Sequence, residues 1–400
     1  MGIETELQAQ VDAQLMEQGA FAPLDLLFNS GRLFYSDYEA WRRREIDLLD
    51  EVLMGDRGNI VMEIERAVAY ARKIGLVEQP QEFSAWGAAS GPSLRVSTDS
   101  KLHKLLGSRY IPSQNAPQMD LFFDNPVVAL TNGIARSLSA RNAVESQRQL
   151  DRLYVQAPNH SDLAAFDQLV RGLDDLNRPV EDPAGRLEFL IAIGPTARHL
   201  LGAGSRDYLS PLWRHLAVAL EGRAYSPDEP DLHRSFALSQ AQDWTGVSES
   251  IVGESEWWLH APLCLRLTDS SFRRRRRAEA LTAWCYLCWL APGEAAAGVA
   301  KLRQPDLSGL WQAFLDCDDD EGGLAAEDFP AWLLLHEPGL ARQLSVDLPR
   351  GNSAGEDNYR CVHQWIHAHR AHLQQEEMAL RKKLQQSHPI LFAVLKQSVG

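Results

Sequence analysis

The sequence predicts an all-α protein built from degenerate helix-turn-helix repeats, an α-solenoid with an N-terminal helical unit and a long C-terminal helix. Three observations carry that expectation. Apolar residues recur at the i, i+3, i+4 spacing of helices along most of the chain. The segments so marked are separated by short turns rich in Gly, Pro, Asn and Asp. The chain's 400 residues exceed what one hydrophobic core usually organises, so an elongated array, or roughly two or three domains, is the economical arrangement.

The elements follow in order. Leu7, Val11 and Leu15 mark a first amphipathic helix that Gly19 closes. A second helix starts at Pro23 and Gly31 breaks it. Ser36 and Glu39 make a capping box for a third, which runs through Trp41, Ile46, Leu49 and Leu53. Ile64, Val68 and Ala71 share a stripe of a helix over residues 60–74 that Gly75 stops. Residues 1–86 thus read as one compact helical unit. Residues 87–117 read as a loop-rich linker with a short extended piece at 94–96 and a short helix at 101–106, because Gly, Ser and Pro interrupt the periodicity.

Residues 118–346 read as the repeats. Paired helices span 125–158 around a turn at 140–142, and others cover 161–173, 187–200, a stretch starting at Ser210 and Pro211, 231–241 and 244–252. Helices over 307–314 and 329–336 flank an acidic loop, and a short one follows at 338–344. Residues 347–356 are a polar linker. In the last part, 357–400, a long helix to Gln386 carries the stripe Val362, Trp365, Ile366, Leu373, Leu380 and Leu384, with a short tail helix after Pro389.

The most densely apolar stretch, residues 279–292 (EALTAWCYLCWLAP), is hydrophobic on more than one side, which suits a helix sandwiched between neighbours. Reading backwards, residues 262–272 make a preceding helix and 273–277 a basic turn. Ala280, Trp284, Leu287 and Pro292 resemble the second helix of a tetratricopeptide repeat, a small residue, an aromatic, an apolar residue and a terminal proline. In the first helix Thr268 and Ser271 stand where that family prefers glycine and tyrosine. The resemblance implies stacked helix pairs and a protein-binding surface.

Composition bounds the function. A formal net charge of -14 argues against a protein that coats nucleic acid, since phosphate binding draws on clustered Lys and Arg. The five cysteines, an odd number in mostly apolar helical sequence, read as reduced core residues of a cytoplasmic protein. The N-terminus lacks a basic start and an apolar run, and no segment is apolar enough to span a membrane. No cofactor is expected. The GxSxG, GxxxxGK[ST] and HExxH signatures are missing, and Gly202-Ala203-Gly204 reads as a turn ending a helix.

Four constellations remain as candidate sites. Gln118, Met119, Asp120, Leu121 and Phe122 resemble the peptide with which bacterial replication and repair proteins dock on the sliding clamp. The glutamine amide would supply directional hydrogen bonds and Leu121 and Phe122 the buried anchors. The same residues also fit the start of a core helix. Arg273, Arg274, Arg275, Arg276 and Arg277 form either a site for phosphate or an acidic helix, or a solvated turn. Asp316, Asp318, Asp320 and Glu327 stand at the carboxylate positions of a calcium loop, but Glu321 replaces the glycine that its turn requires, which favours a solvated acidic turn. His363 and His367, four apart, either present two imidazoles to zinc, with Glu356, His369 and His372 nearby in sequence but no evident third ligand, or are surface or interhelix histidines.

The expected function is a non-enzymatic helical scaffold that binds another protein. A sliding-clamp accessory and a metal-dependent enzyme using His363 and His367 are the alternatives.

Overall fold

The computed structural model describes residues 3–86, 93–112, 126–302, 304–317, 323–345 and 353–399. It is 72% helical, so the all-α expectation holds. The chain divides into two compact units, Met1–Asp243 and Trp244–Gly400, and the division falls inside the 118–346 span read as one repeat block. Among the described residues no helix is long and apolar enough to cross a membrane.

In the first unit, α1 (Ile3–Gln18), α2 (Pro23–Asn29), α3 (Tyr35–Arg42) and α4 (Arg57–Lys73) are followed by β1 (Leu76–Pro80), α5 (Ser100–Leu106) and β2 (Ser108–Pro112). Their shared core includes Val11, Phe21, Trp41, Ile64, Val96 and Tyr110, so residues 93–112 belong to this core and are no linker. The third helix is shorter than the capping-box reading required. It ends at Arg42, Ser36 lies inside it, and its N-cap is Phe34 without a side-chain bond.

Residues 108–112, read as part of the loop-rich linker, and 76–80, read as part of the helical unit, form two strands. They pair antiparallel, with Leu76 opposite Pro112 and Glu78 opposite Tyr110, and Phe21 adds two backbone bonds to Tyr110, 2.8 and 2.7 Å. Each strand is five residues long and ends in proline, and a helix intervenes between them, so no hairpin signal marks the pair.

The unit continues with α6 (Pro126–Ser139), α7 (Ala143–Gln156), α8 (Leu163–Asp174), α9 (Pro183–Leu201), α10 (Ser205–Ala219) and α11 (Arg234–Gln240). Helix α10 does not start at Ser210. Pro211 lies inside it, and the helical register of Tyr208, Leu212 and Leu216 runs through that proline.

The second unit holds α12 (Trp244–Val252), α13 (Ala261–Arg273), α14 (Arg277–Leu290), α15 (Pro292–Leu302), α16 (Pro305–Leu315), α17 (Phe329–His336), α18 (Ala354–Arg370), α19 (Gln374–Ser387) and α20 (Pro389–Val399). Trp284, at 0% exposure, packs edge-on against Trp311 in a core that also takes Phe314, Phe329 and Trp332. Cys288 is buried in the same core and Cys285, on the same helix, is buried too, and burial pushes both thiols up from their ordinary range.

One closure recurs in both units. After α3, α6, α11, α13 and α18 the chain turns through a left-handed residue that is not glycine: Arg44, Arg141, Gln242, Arg275 and His372. Each time the next N–H reaches five residues back, as in Asn142 to Ser137 (2.9 Å), Arg276 to Ser271 (2.8 Å) and Leu373 to Ala368 (2.9 Å). This satisfies the last carbonyls of the helix. The single long C-terminal helix of the sequence reading is therefore two, broken at His372. Without a glycine there, nothing in the composition marks the break.

Candidate functional site

The sequence-derived candidates are not brought together. Residues 118–122 lie outside the described residues, as do Asp318 and Asp320 of the acidic loop. Of that loop's other carboxylates, Asp316 accepts a bond from Gln312 (2.8 Å) and Glu327 one from the Ser353 hydroxyl (3.2 Å). The His363 Nε2 lies 3.0 Å from the Leu344 carbonyl and donates its proton there, while His367 is exposed. Glu356 pairs with Arg360, and His369 stacks on Trp365 beside Glu377. Among the described residues no three His, Cys, Asp or Glu side chains converge as a metal site.

The arginine run is largely engaged by the chain's own groups. Arg273 bonds Asp269 (3.0 Å) and lies over the Trp244 ring, Arg274 faces Glu279, and Arg275 is the left-handed residue of the turn. Arg277 forks to two carboxylates, Asp306 (2.6 Å) and Glu337 (2.8 and 2.9 Å). Its hydrogen bonds hold the Glu337 carboxyl below the usual range. Two readings were open for this run, a ligand surface or a solvated turn, and the geometry adds a third role as a helix-helix tie.

In the first unit the structure assembles a buried charge network that the sequence reading did not anticipate. Asp207, on α10, accepts from the Tyr35 hydroxyl (2.9 Å), the Tyr38 hydroxyl (3.2 Å) and Arg42 Nη1 (2.8 Å). Its backbone carbonyl accepts from Arg141 Nε at 2.8 Å. That carbonyl is available because Pro211, four residues on, has no N–H to offer it.

Arg141 also donates to Glu39 (2.7 Å), which is 1% exposed and pairs with Arg214 as well. Its guanidinium lies 3.5 Å from the centre of the Trp86 ring. Burial, and then the Asp207 charge, push the Tyr35 and Tyr38 phenols well above their ordinary range, so both remain protonated donors. The sequence held one signal for this network, a proline within an unbroken helical register at position 211.

Beside the network lies an open cleft of about 670 Å³, lined by α9, α10, α11, the turns next to them and Asp25 of α2. Leu190, Leu209 and Trp213, all buried, form its apolar floor, and Ile191, 52% exposed, stands at its side. Arg206 pairs with Asp25 at 2.5 Å and lies over the Phe28 ring, which in turn packs on Tyr35 and Tyr38 of the network. Arg198, His199, Gln240 and Gln242 supply polar groups to the lining. Two prolines act alike here, because Pro195 inside α9 leaves the Ile191 carbonyl without a helical donor, as Pro211 does for Asp207.

The fold and this cleft define an all-α protein of two helical units with a polar-sided, apolar-floored groove on the first. Comparison with known protein families, with curated proteins and with solved structures found no match.

Proposed function

We propose that this protein is a non-enzymatic helical scaffold of the cytosol that binds a segment of another protein in the cleft beside α9, α10 and α11. The observation that carries the reading is an apolar floor rimmed by guanidinium, imidazole and amide groups, the build of a groove that takes up a peptide or helix. Asp207 supports it indirectly. Both carboxylate oxygens and the carbonyl are taken up by four donors of the fold, so this carboxylate serves structure and not a substrate. The helix pair α13 and α14, with Ala280 and Trp284 at 0% exposure, supports the repeat-like reading of the second unit. Five free cysteines, four of them buried, fit a reducing compartment.

The test places a photo-crosslinking amino acid at Ile191, in the cleft, and in a separate variant at Val155, 83% exposed on α7 and absent from the cleft lining. A discrete protein adduct formed from Ile191 in living cells, and not from Val155, is the expected result. Identical adduct patterns from the two positions, or none from Ile191, would remove the cleft as a binding site.

A further inference from the structure

We infer that the occupant of the cleft is an acidic segment with apolar anchors, a run of carboxylates interleaved with aliphatic side chains on a partner protein. The inference rests on the scaffold reading above and adds the chemistry of the ligand. In a chain of net charge -14, the cleft reverses the sign locally, since Arg198 and Arg206 line it against one carboxylate, that of Asp25, among its described lining residues.

That carboxylate already holds Arg206 at 2.5 Å, which leaves Arg198 as the uncompensated arginine among the described lining residues. Among the described residues no carboxylate lies within ion-pair distance of Arg198. Its guanidinium lies over Gly194, one turn back, where a Cβ would stand 3.5 Å from Nη1. A glycine at that position lets the charged fork rest on the helix surface within the cleft, facing where a ligand would lie.

The site asks for more than charge. Ile191 exposes half of its surface beside the buried floor of Leu209 and Trp213, an arrangement that gains from an aliphatic side chain laid across it. The Ile191 carbonyl lacks a helical donor because of Pro195, and the Gln240 and Gln242 amides can both donate and accept. A backbone acceptor without its i+4 helical donor and two amides suit the N–H and C=O groups of a peptide better than an inorganic anion, which offers no N–H.

The test uses the full-length chain and four fluorescein-labelled peptides of about eight residues, roughly 27 Å when extended. They alternate Leu with Glu, Leu with Gln, Leu with Lys, and Ser with Glu. Fluorescence anisotropy should show the Leu/Glu peptide binding about tenfold tighter than each of the others, the effect of one good charge-assisted contact or one buried anchor. Arg198→Glu should transfer the preference to the Leu/Lys peptide. Ile191→Ser should weaken Leu/Glu binding while leaving Ser/Glu binding unchanged. Both positions are exposed, so the unfolding midpoints should match that of the unaltered chain, which separates lost binding from lost folding.

Equal binding of Leu/Gln and Leu/Glu would overturn the charge argument. Equal binding of Ser/Glu and Leu/Glu would overturn the anchor argument and leave a bare anion patch. Binding indifferent to Arg198→Glu, or no binding by any peptide, would reject the acidic occupant outright. In each of these cases a crosslinked adduct from Ile191 keeps the scaffold reading alive with a different partner, and its absence removes both.

Discussion

The two units solve the same problem, holding short helices together, with opposite chemistry. In the second, Trp284, Trp311, Phe314, Phe329 and Trp332 meet edge to face and tilted, at ring separations from 5.1 to 5.9 Å, in a core that also holds the thiols of Cys264, Cys288 and Cys361. In the first, Asp207, Glu39, Arg42 and Arg141 cross-link α3, α10 and the turn between α6 and α7 through buried charges. Aromatic packing tolerates small shifts because dispersion is not directional, whereas a buried ion pair is favourable only while every partner is in place. The first unit should therefore fail sharply when one charge is removed, and the second in proportion to the volume removed.

Trp284→Ala offers the largest expected break, at about 3 to 5 kcal/mol, because it empties a fully buried indole site. Hydrogen exchange should localise the loss to residues 244–400, and a cost no greater than that of a surface variant would remove α14 from the centre of its core.

Asp207→Asn comes next, at about 3 kcal/mol, since the shape survives while Arg42 loses its buried counter-charge. Urea unfolding followed on the first unit reads it. A cost under about 1 kcal/mol would mean that the network is ornamental to stability. A double variant that also replaces Arg42 with Met should recover part of the loss, which sharpens the contrast with the aromatic core.

Arg277→Ala should cost only about 1 kcal/mol, because its pairs with Asp306 and Glu337 are partly exposed, and added salt should shrink the difference. Arg277 lowers the Glu337 carboxyl, so that contribution is present above the ordinary carboxylate range and disappears as pH falls through the folded value. The variant should therefore lose less stability than the unaltered chain between pH 6 and pH 3, roughly the range in which carboxylates titrate.

The smallest effect belongs to His215 in the first unit. Burial, and then the neighbouring Arg186 guanidinium, hold its imidazole below the ordinary value. The unfolded chain takes up that proton first, so stability is full above about pH 6.5 and declines as pH falls toward the folded value. His215→Gln should flatten that decline. An identical pH profile for the variant would show that the titration lies elsewhere.

The local part of this fold was legible. Helical period, the apolar density of residues 279–292, the turn at 140–142 and the stop at Gly75 all depend on residues within a turn or two of each other, and each is found where expected. The break at His372 was not, because a left-handed histidine carries no compositional mark. The strand pair was not either, since its ends meet only after a helix has intervened.

The site was less legible still. Arg277 reads as one cation of a basic run until Asp306 and Glu337 are brought to it, and Pro211 reads as a helix start until the register on both sides proves continuous. By itself the sequence determined that this chain would be helical, where most helices would lie and which faces would be apolar, because those follow from covalent geometry and short-range periodicity. Only the tertiary structure decided which charges neutralise one another, that Asp207 would gather Tyr35, Tyr38 and Arg42 from far along the chain, and that Arg198 would be left facing a cleft. The reason is physical. Helix formation is governed by neighbours three and four residues away, but the energy of a charge is set by whatever side chains and solvent the whole fold places around it.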